Sequence, residues 1–451
     1  MLASIALTVL LASAGPAGAT FPGQNGRIAF AGYYGSIYTV NPDGSVLKKL
    51  DGLGEDLVSV RDPAFSPDGS KLAFVGERDT TDRPSRYDVY VADTDGSGRR
   101  NLTAAYHDEP DWQFYMESGS LQHSAWSPDG SKIAFSMFSS PDETGALFVV
   151  GADGTGGLQL LRALPFRLSV DGLDWSPDGS KIAFGAHSTD DDGPGGGDVY
   201  VVNAADGSGL TSLTPGLDRE AEPSWSPDGS KIAFVGCRQP AAFAWYCYGD
   251  IWVMAADGSG RTRLTDTPYE DEEHPAWSPD GSKIAFFRAV RSENPEDETV
   301  EVQGIFTMDS EGGGEEALSA PCSPPSLSSS SSPLDWGTLA AETLPDGAAT
   351  PSIRKPKPKP GSTIGDRTLT ISAVVRTTAG ELSPEEEIAL CLDGANKGPY
   401  SYDSRTGKLV YTVRDYEQLT LGAHSARVTA YDLEAGTWAT KGWTFRVAQR
   451  E

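Results

Sequence analysis

The sequence predicts an all-β protein, a six-bladed β-propeller followed by a β-sandwich. Three observations carry that expectation. A ten-residue segment recurs five times, as Phe65-Ser-Pro-Asp-Gly-Ser-Lys-Leu-Ala-Phe74, Trp126 to Phe135, Trp175 to Phe184, Trp225 to Phe234 and Trp277 to Phe286. Successive first aromatics stand 61, 49, 50 and 52 residues apart, a period that belongs to propellers and arrays. Helical periodicity is absent, and short alternating runs bounded by Pro, Asp and Gly take its place.

Taken in chain order, residues 1–19 read as a secretory signal peptide. A short apolar run is followed by small residues, with Ala17-x-Ala19 as the cleavage site. The run is too short to span a bilayer, although its leading end lacks the usual basic residue. Export to the cell envelope, the periplasm or the medium is the expected localisation.

Residues 24–338 are expected to form the propeller, and the copy from Trp225 shows how one blade is built. Pro223 to Ser226 is a short extended stretch. Ser226-Pro-Asp-Gly229 suits a type I turn, because Pro presets the second position, Asp tolerates the third and Gly closes it. Lys231–Val235 is a compact second strand, Asp250–Met254 a third, and Asp257-Gly258 a tight turn into a fourth from Arg261 to Thr265. Runs such as Ile37–Val40, Val89–Ala92, Leu147–Val150, Val199–Val202 and Ile305–Met308 repeat the third strand. Four short antiparallel strands make a blade.

The two ends of the region supply half a blade each. Gly26–Phe30 is a second strand with no first strand before it, and Pro333–Trp336 is a first strand with no Pro-Asp-Gly turn after it. Pairing them completes a sixth blade and leaves no open edge.

Residues 339–363 read as a linker, since Arg354-Lys-Pro-Lys-Pro-Lys-Pro360 favours an extended polyproline II spacer. Residues 364–451 alternate again, through Leu369–Val375, Ile388–Leu392, Lys408–Val413, Ala426–Tyr431 and Trp443–Val447. So many strands in so short a stretch fit a β-sandwich.

Charge and cysteines narrow the partners. The chain carries a net −28, but residues 351–451 hold 14 basic and 12 acidic residues, which leaves 22 basic and 52 acidic for the rest, or −30. Such a body repels nucleic-acid phosphates and anionic membrane surfaces, so neither is an expected partner, and no membrane span is expected. Four cysteines in an exported chain invite pairing. Cys237 and Cys247 flank an aromatic loop and are expected to form a disulfide across a hairpin. Cys322 and Cys391 are left open.

Site candidates follow from where the copies differ. The Pro-Asp-Gly and Asp-Gly turns share one face and scarcely vary. The loops entering each first strand share the other face and vary strongly, and scaffold loops carry function. Tyr106, Trp112, Tyr115 and Trp245 are the candidate aromatic anchors on that variable face. Three positions before each first-strand aromatic, a residue is expected to look into the channel mouth. Those positions hold Asp62, His123, Gly172, Glu222, His274 and Pro333, with Asp171 and Glu273 adjacent. Imidazole and carboxylate suit a divalent metal, for which His123, His274, Glu222 and Asp62 are the candidate ligands. A solvated polar rim is the plainer reading of the same residues, and no cofactor is specified by any motif.

The Trp-Ser-Pro-Asp-Gly-Ser-Lys-Ile-Ala-Phe repeat, with its following Asp-Ile-Trp-Val and Asp-Gly, resembles the TolB-type β-propeller (WD40-like Pd repeat) of bacterial envelope proteins, over about residues 24–338. Leu392-Asp-Gly394, Gly422-Ala-His424 and Ala430-Tyr-Asp432 resemble bacterial immunoglobulin-like modules, which implies an Ig-like sandwich that spaces or adheres. Neither resemblance specifies an activity. No Gly-x-Ser-x-Gly elbow, phosphate loop or Cys-x-x-Cys pair occurs, and no catalytic residue is assigned. The expected function is an exported, non-catalytic binding or scaffold protein that presents its variable face to a protein or glycan. Two alternatives stand beside it: a metal-dependent carbohydrate-active lyase or hydrolase at the channel mouth, and a TolB-like envelope interaction protein.

Overall fold

The computed structural model describes residues 23–32, 35–54, 56–78, 86–107, 120–139, 144–164, 168–188, 197–215, 220–238, 248–267, 270–291, 300–318, 333–338, 351–364, 370–376, 388–392, 395–396, 401–413, 422–432 and 437–447. Strands dominate them, and a single 3-10 turn at Ala104–Tyr106 is the helical element among them. The expected signal peptide, Trp112, Tyr115, Trp245, Cys247 and Cys322 lie outside the described residues.

The repeat region folds as four-stranded antiparallel units. Blade 2 is Ser59–Phe65, Lys71–Arg78, Arg86–Asp93 and Arg100–Asn101. Blade 5 is Glu220–Trp225, Lys231–Arg238, Tyr248–Ala255 and Thr262–Arg263. Blade 6 is Glu270–Trp277, Lys283–Arg291, Val300–Asp309 and Glu316–Ala317. Blade 3, starting at Ser120–Trp126, and blade 4, starting at Leu168–Trp175, are linked into one sheet by a parallel pairing of Thr144 with Leu168. The fourth strand of blade 5 is shorter than the sequence implies, two residues where five were expected.

Blade 1 joins both ends of the region. Ile28–Ala31 pairs with Ile37–Val40 on one side and with Asp335–Trp336 on the other. Neighbouring blades share apolar cores in circular succession. Phe65 and Leu72 of blade 2 pack with Ala29 and Ile37 of blade 1. Phe287 and Ile305 of blade 6 pack with Phe30 and Trp336 of blade 1.

The repeat residues are scaffold for identifiable reasons. The Phe ending each Ile-Ala-Phe stacks on the aromatic opposite it in the third strand. Phe74–Tyr90 at 5.4 Å, Phe135–Phe148 at 5.6 Å and Phe286–Phe306 at 6.0 Å are examples, and such cross-strand pairs stabilise a sheet. In the Ser-Pro-Asp-Gly-Ser turns the Asp carboxylate is saturated locally. Asp129 accepts from Ser127 Oγ at 2.6 Å, Ser131 N at 3.0 Å and Ser131 Oγ at 2.7 Å. Gly130, with φ 69°, closes the turn where a side chain would be strained.

Residues after 350 form two sheets around one core. One sheet runs Ser352–Lys357, Thr370–Arg376, Lys408–Thr412 and Ser401–Asp403. The other contains Thr363–Ile364, Thr437–Val447, Gly422–Asp432, Ile388–Leu392 and Ala395–Asn396. Ile371, Val375, Leu390, Leu409, Val428 and Phe445 fill the space between them.

This corrects the expected linker. Its Lys/Pro run is the edge strand Ser352–Lys357, and Thr363–Ile364 pairs parallel to Arg446–Val447. Proline is tolerated because the strand has an outer edge, and because the register slips between Arg354 and Lys357, with Lys355 at φ 52°.

Candidate functional site

The inner strand of every blade from 2 to 6 carries a bulge at the same place. The register shifts between Arg61 and Ala64, Gln122 and Ser124, Asp171 and Leu173, Ala221 and Ser224, and Glu273 and Ala276. The bulged residue is left-handed each time: Asp62 at φ 54°, His123 at 46°, Gly172 at 72°, Glu222 at 55° and His274 at 56°. Only Gly172 takes this conformation without strain. Each of the other four costs roughly 1 kcal/mol or more, a penalty that concentrates at functional positions. These are the positions the sequence placed at the channel mouth.

A cavity of about 90 Å³ lies below them. Its lining includes His123, Glu222, His274, Asp174, Asp335 and Trp277. That space is enough for several water molecules or a small polar group.

The structure joins two of the candidates directly. Glu222 Oε2 accepts the backbone N–H of His274 at 2.6 Å and lies 3.2 Å from His274 Nδ1. Burial works against the Glu222 carboxylate, yet the His274 charge and hydrogen bonds hold it below the usual range, with Asp171 pushing the other way. Asp171 in turn lies 2.6 Å from His187 Nδ1. Blades 4, 5 and 6 thus carry an arc of His187, Asp171, Glu222 and His274. The arc needs Gly172, because a Cβ there would sit 2.6 Å from Glu222 Cα.

The other candidates stand apart. Asp62 is 3% exposed and faces Arg61 Nε at 3.5 Å, and it does not line the cavity. The Nδ1 of His123 is buried without a hydrogen-bond partner among the described residues. Glu273 precedes His274 and is partly buried. Among the described residues no three His, Cys, Asp or Glu side chains gather as a metal-binding group, so the four candidate ligands do not form one cluster there. Tyr106 is half-buried and packed against the core shared by blades 2 and 3.

Two residues of the cavity were not anticipated. Asp174 and Asp335 directly precede a first-strand aromatic, where the other copies have Ala64, Ala125, Ser224 and Ala276. Asp174 Oδ2 accepts the N–H of Trp225 at 2.7 Å, and Asp335 Oδ2 accepts that of Phe65. Each carboxylate therefore satisfies a backbone donor of the next blade. Burial pushes Asp174 well above its ordinary range, helped by the charge of Asp335. Burial also pushes Asp335 up to about 6, against its backbone hydrogen bonds. The signal was present in the sequence as an acid where the repeat calls for a small residue.

Disulfides bear on the expected pairings. Cys237 is disulfide-bonded, and so is Cys391.

Comparison with known proteins agrees with the repeat. Residues 73–246 match the family described as TolB beta propeller domain. No curated protein matches the chain. Among solved structures, TolB from Acinetobacter baumannii is 19% identical, covers 70% of this chain and 67% of its own, and has a TM-score of 0.46. A nidogen/laminin complex is 12% identical over 70% of this chain and 99% of its own, with a TM-score of 0.46. An oligogalacturonate lyase in complex with manganese is 15% identical over 67% and 87%, with a TM-score of 0.37. Likenesses this remote carry no functional argument.

Proposed function

We propose that this chain is an exported, non-catalytic binding protein whose propeller presents the channel mouth and its surrounding loops to a protein or glycan partner. The observation that supports it best is the contrast between the two faces. On one face the aspartates of the Ser-Pro-Asp-Gly-Ser turns are consumed by their own serines. On the other, strained non-glycine residues at one shared bulge hold Asp62, His123, Glu222 and His274 in place of a repeat. A small cavity suits capture of a surface better than of a large ligand within it, and Trp112 and Trp245 are the aromatic anchors that the sequence offers for it. The bonded cysteines fit an oxidising compartment outside the cytoplasm, and the TolB-type repeat fits the cell envelope. No described helix is long and apolar enough to cross a membrane.

The test is capture from envelope extracts and glycan arrays by wild type, a Trp112→Ala/Trp245→Ala double variant, and Glu222→Gln. Loss of the captured partner in the double variant, with unchanged folding, is the expected result. Equal capture by all three proteins would sink the assignment.

The Glu222–His274 pair at the mouth of a water-sized cavity favours one second reading, a hydrolase or lyase that uses the pair for proton transfer. Under that reading a divalent metal would be held by Glu222 and His274, the two candidates that meet, with water completing its shell. Metal titration of the purified protein, with His123→Ala/His274→Ala as control, separates the two readings. Binding lost in the control favours the enzyme, and no binding at millimolar metal removes it.

A further inference from the structure

The C-terminal sandwich turns an outward face onto the ring. In the strand Gly422–Asp432, Ala426, Val428 and Ala430 point into the sandwich core. Alternate residues of a strand face opposite sides, so Thr429 and Tyr431 belong to the outer face. Yet Thr429 is 0% and Tyr431 2% exposed. Tyr431 shares its core with Phe30, Leu334 and Trp336 of blade 1 and with Ala276 and Phe287 of blade 6. The paired strand Ile388–Leu392 repeats the pattern. Leu390 and Leu392 face inward, while Ala389 and Cys391 on the other face are buried as well.

Cys391 adds a covalent tie. It is disulfide-bonded, and the other three cysteines of the chain are Cys237, Cys247 and Cys322. All three precede the strand that completes blade 1. Whichever of them is the partner, the bond joins the sandwich to the propeller region.

The Tyr431 contact falls where blade 1 is closed by few backbone bonds. Among the described residues blade 1 is completed by two residue pairs, Ile28 with Trp336 and Ala29 with Asp335, and by the backbone bonds of Gly337 to Gly26 and Arg27. The corresponding first and second strands of blade 4 pair from Leu168–Ser188 to Trp175–Ile182. Few backbone bonds between segments far apart in sequence mark a place where local opening begins.

We propose that the C-terminal sandwich is a clasp: Tyr431 in the blade 1–blade 6 core and the Cys391 disulfide hold the ring together at its seam. Load or ligand acting on the sandwich is thereby coupled to blade 1 and to Asp335 in the cavity. Removing the clasp loosens the seam and leaves the opposite blade unaffected.

Amide hydrogen exchange of the full chain tests this, comparing Ile28–Ala31 at the seam with Lys181–Ser188 in blade 4. Tyr431→Ala and Cys391→Ser are each expected to speed seam exchange by about tenfold while blade 4 stays unchanged. Tyr431→Phe, which keeps the buried ring, retains wild-type protection. If Tyr431→Ala does not yield folded protein, the wild-type chain with a dithiol reductant gives the same reading. The reductant cleaves the Cys391 disulfide to thiols while being oxidised to its own disulfide, and faster seam exchange is again expected. Wild-type seam protection in Cys391→Ser or after reduction overturns the proposal, and so does equal acceleration in blade 4.

Discussion

Replacing Asp335 with Asn should stabilise the protein near neutral pH and lose that advantage in acid. Asp335 Oδ2 accepts the N–H of Phe65, and an Asn Oδ1 can accept the same bond. What changes is the charge. Burial raises this carboxyl from 3.8 to about 6, so the folded state disfavours the ionised form. Below the unfolded value the group is protonated in both states and costs nothing. As pH rises from about 4 to about 6 the cost of holding the carboxylate in the cavity accumulates, and above that it is fully present. A shift of about two units corresponds to roughly 3 kcal/mol. Asp335 is only partly buried and lines a cavity large enough for water, which screens the charge, so about 1–2 kcal/mol is the expected gain. Urea denaturation of wild type and Asp335→Asn at pH 7.5 and pH 4 measures it, because the difference between the two proteins cancels the titration of groups that do not feel Asp335; Asp174, which does, adds to the gain in the same direction. An Asn variant no more stable at pH 7.5, or equally advantaged at pH 4, would refute the placement of Asp335 in a poorly solvated cavity.

Other outcomes follow from the same geometry. Gly172→Ala places a Cβ 2.6 Å from Glu222 Cα at φ 72°, so strain and overpacking should cost about 2–4 kcal/mol, read as a lower urea midpoint with unchanged slope. Asp129→Ala removes three hydrogen bonds from one exposed turn and should cost about 1–2 kcal/mol without altering partner capture. The turn aspartates, including Asp68, Asp129 and Asp178, are held below their ordinary values, chiefly by side-chain hydrogen bonds from Ser66, Ser127 and Ser176. Their contribution is present above the unfolded carboxylate value and is lost as pH falls from there through their lower folded values, so the urea midpoint followed by circular dichroism should decline below about pH 4.

Much of the fold was legible because repetition reports on backbone geometry. A Pro-Asp-Gly turn and an Ile-Ala-Phe strand have the same local preferences in every copy, and five copies leave little doubt about blade boundaries. The bulge positions were legible for the same reason: counting back three residues from each aromatic lands on the left-handed residue in blades 2 to 6. The Lys/Pro run misled, since alternating Pro reads as polyproline II unless one knows that Ser352–Lys357 has a free edge. Asp174 and Asp335 were overlooked because an acid beside an aromatic has no meaning until the cavity around it is seen.

The sequence by itself determined the strand and turn content, the order of the blades and the pairing of the two ends, all of which rest on local periodicity and turn chemistry. Tertiary structure alone decided which charges meet. Glu222 reaches His274 across 52 positions of sequence, Asp335 reaches Phe65 across 270, and Tyr431 leaves its own sandwich to pack between blades 1 and 6. The physical reason is range. Backbone preference acts over a few residues, whereas the energy of a buried charge or ring depends on neighbours that only the assembled ring brings within reach.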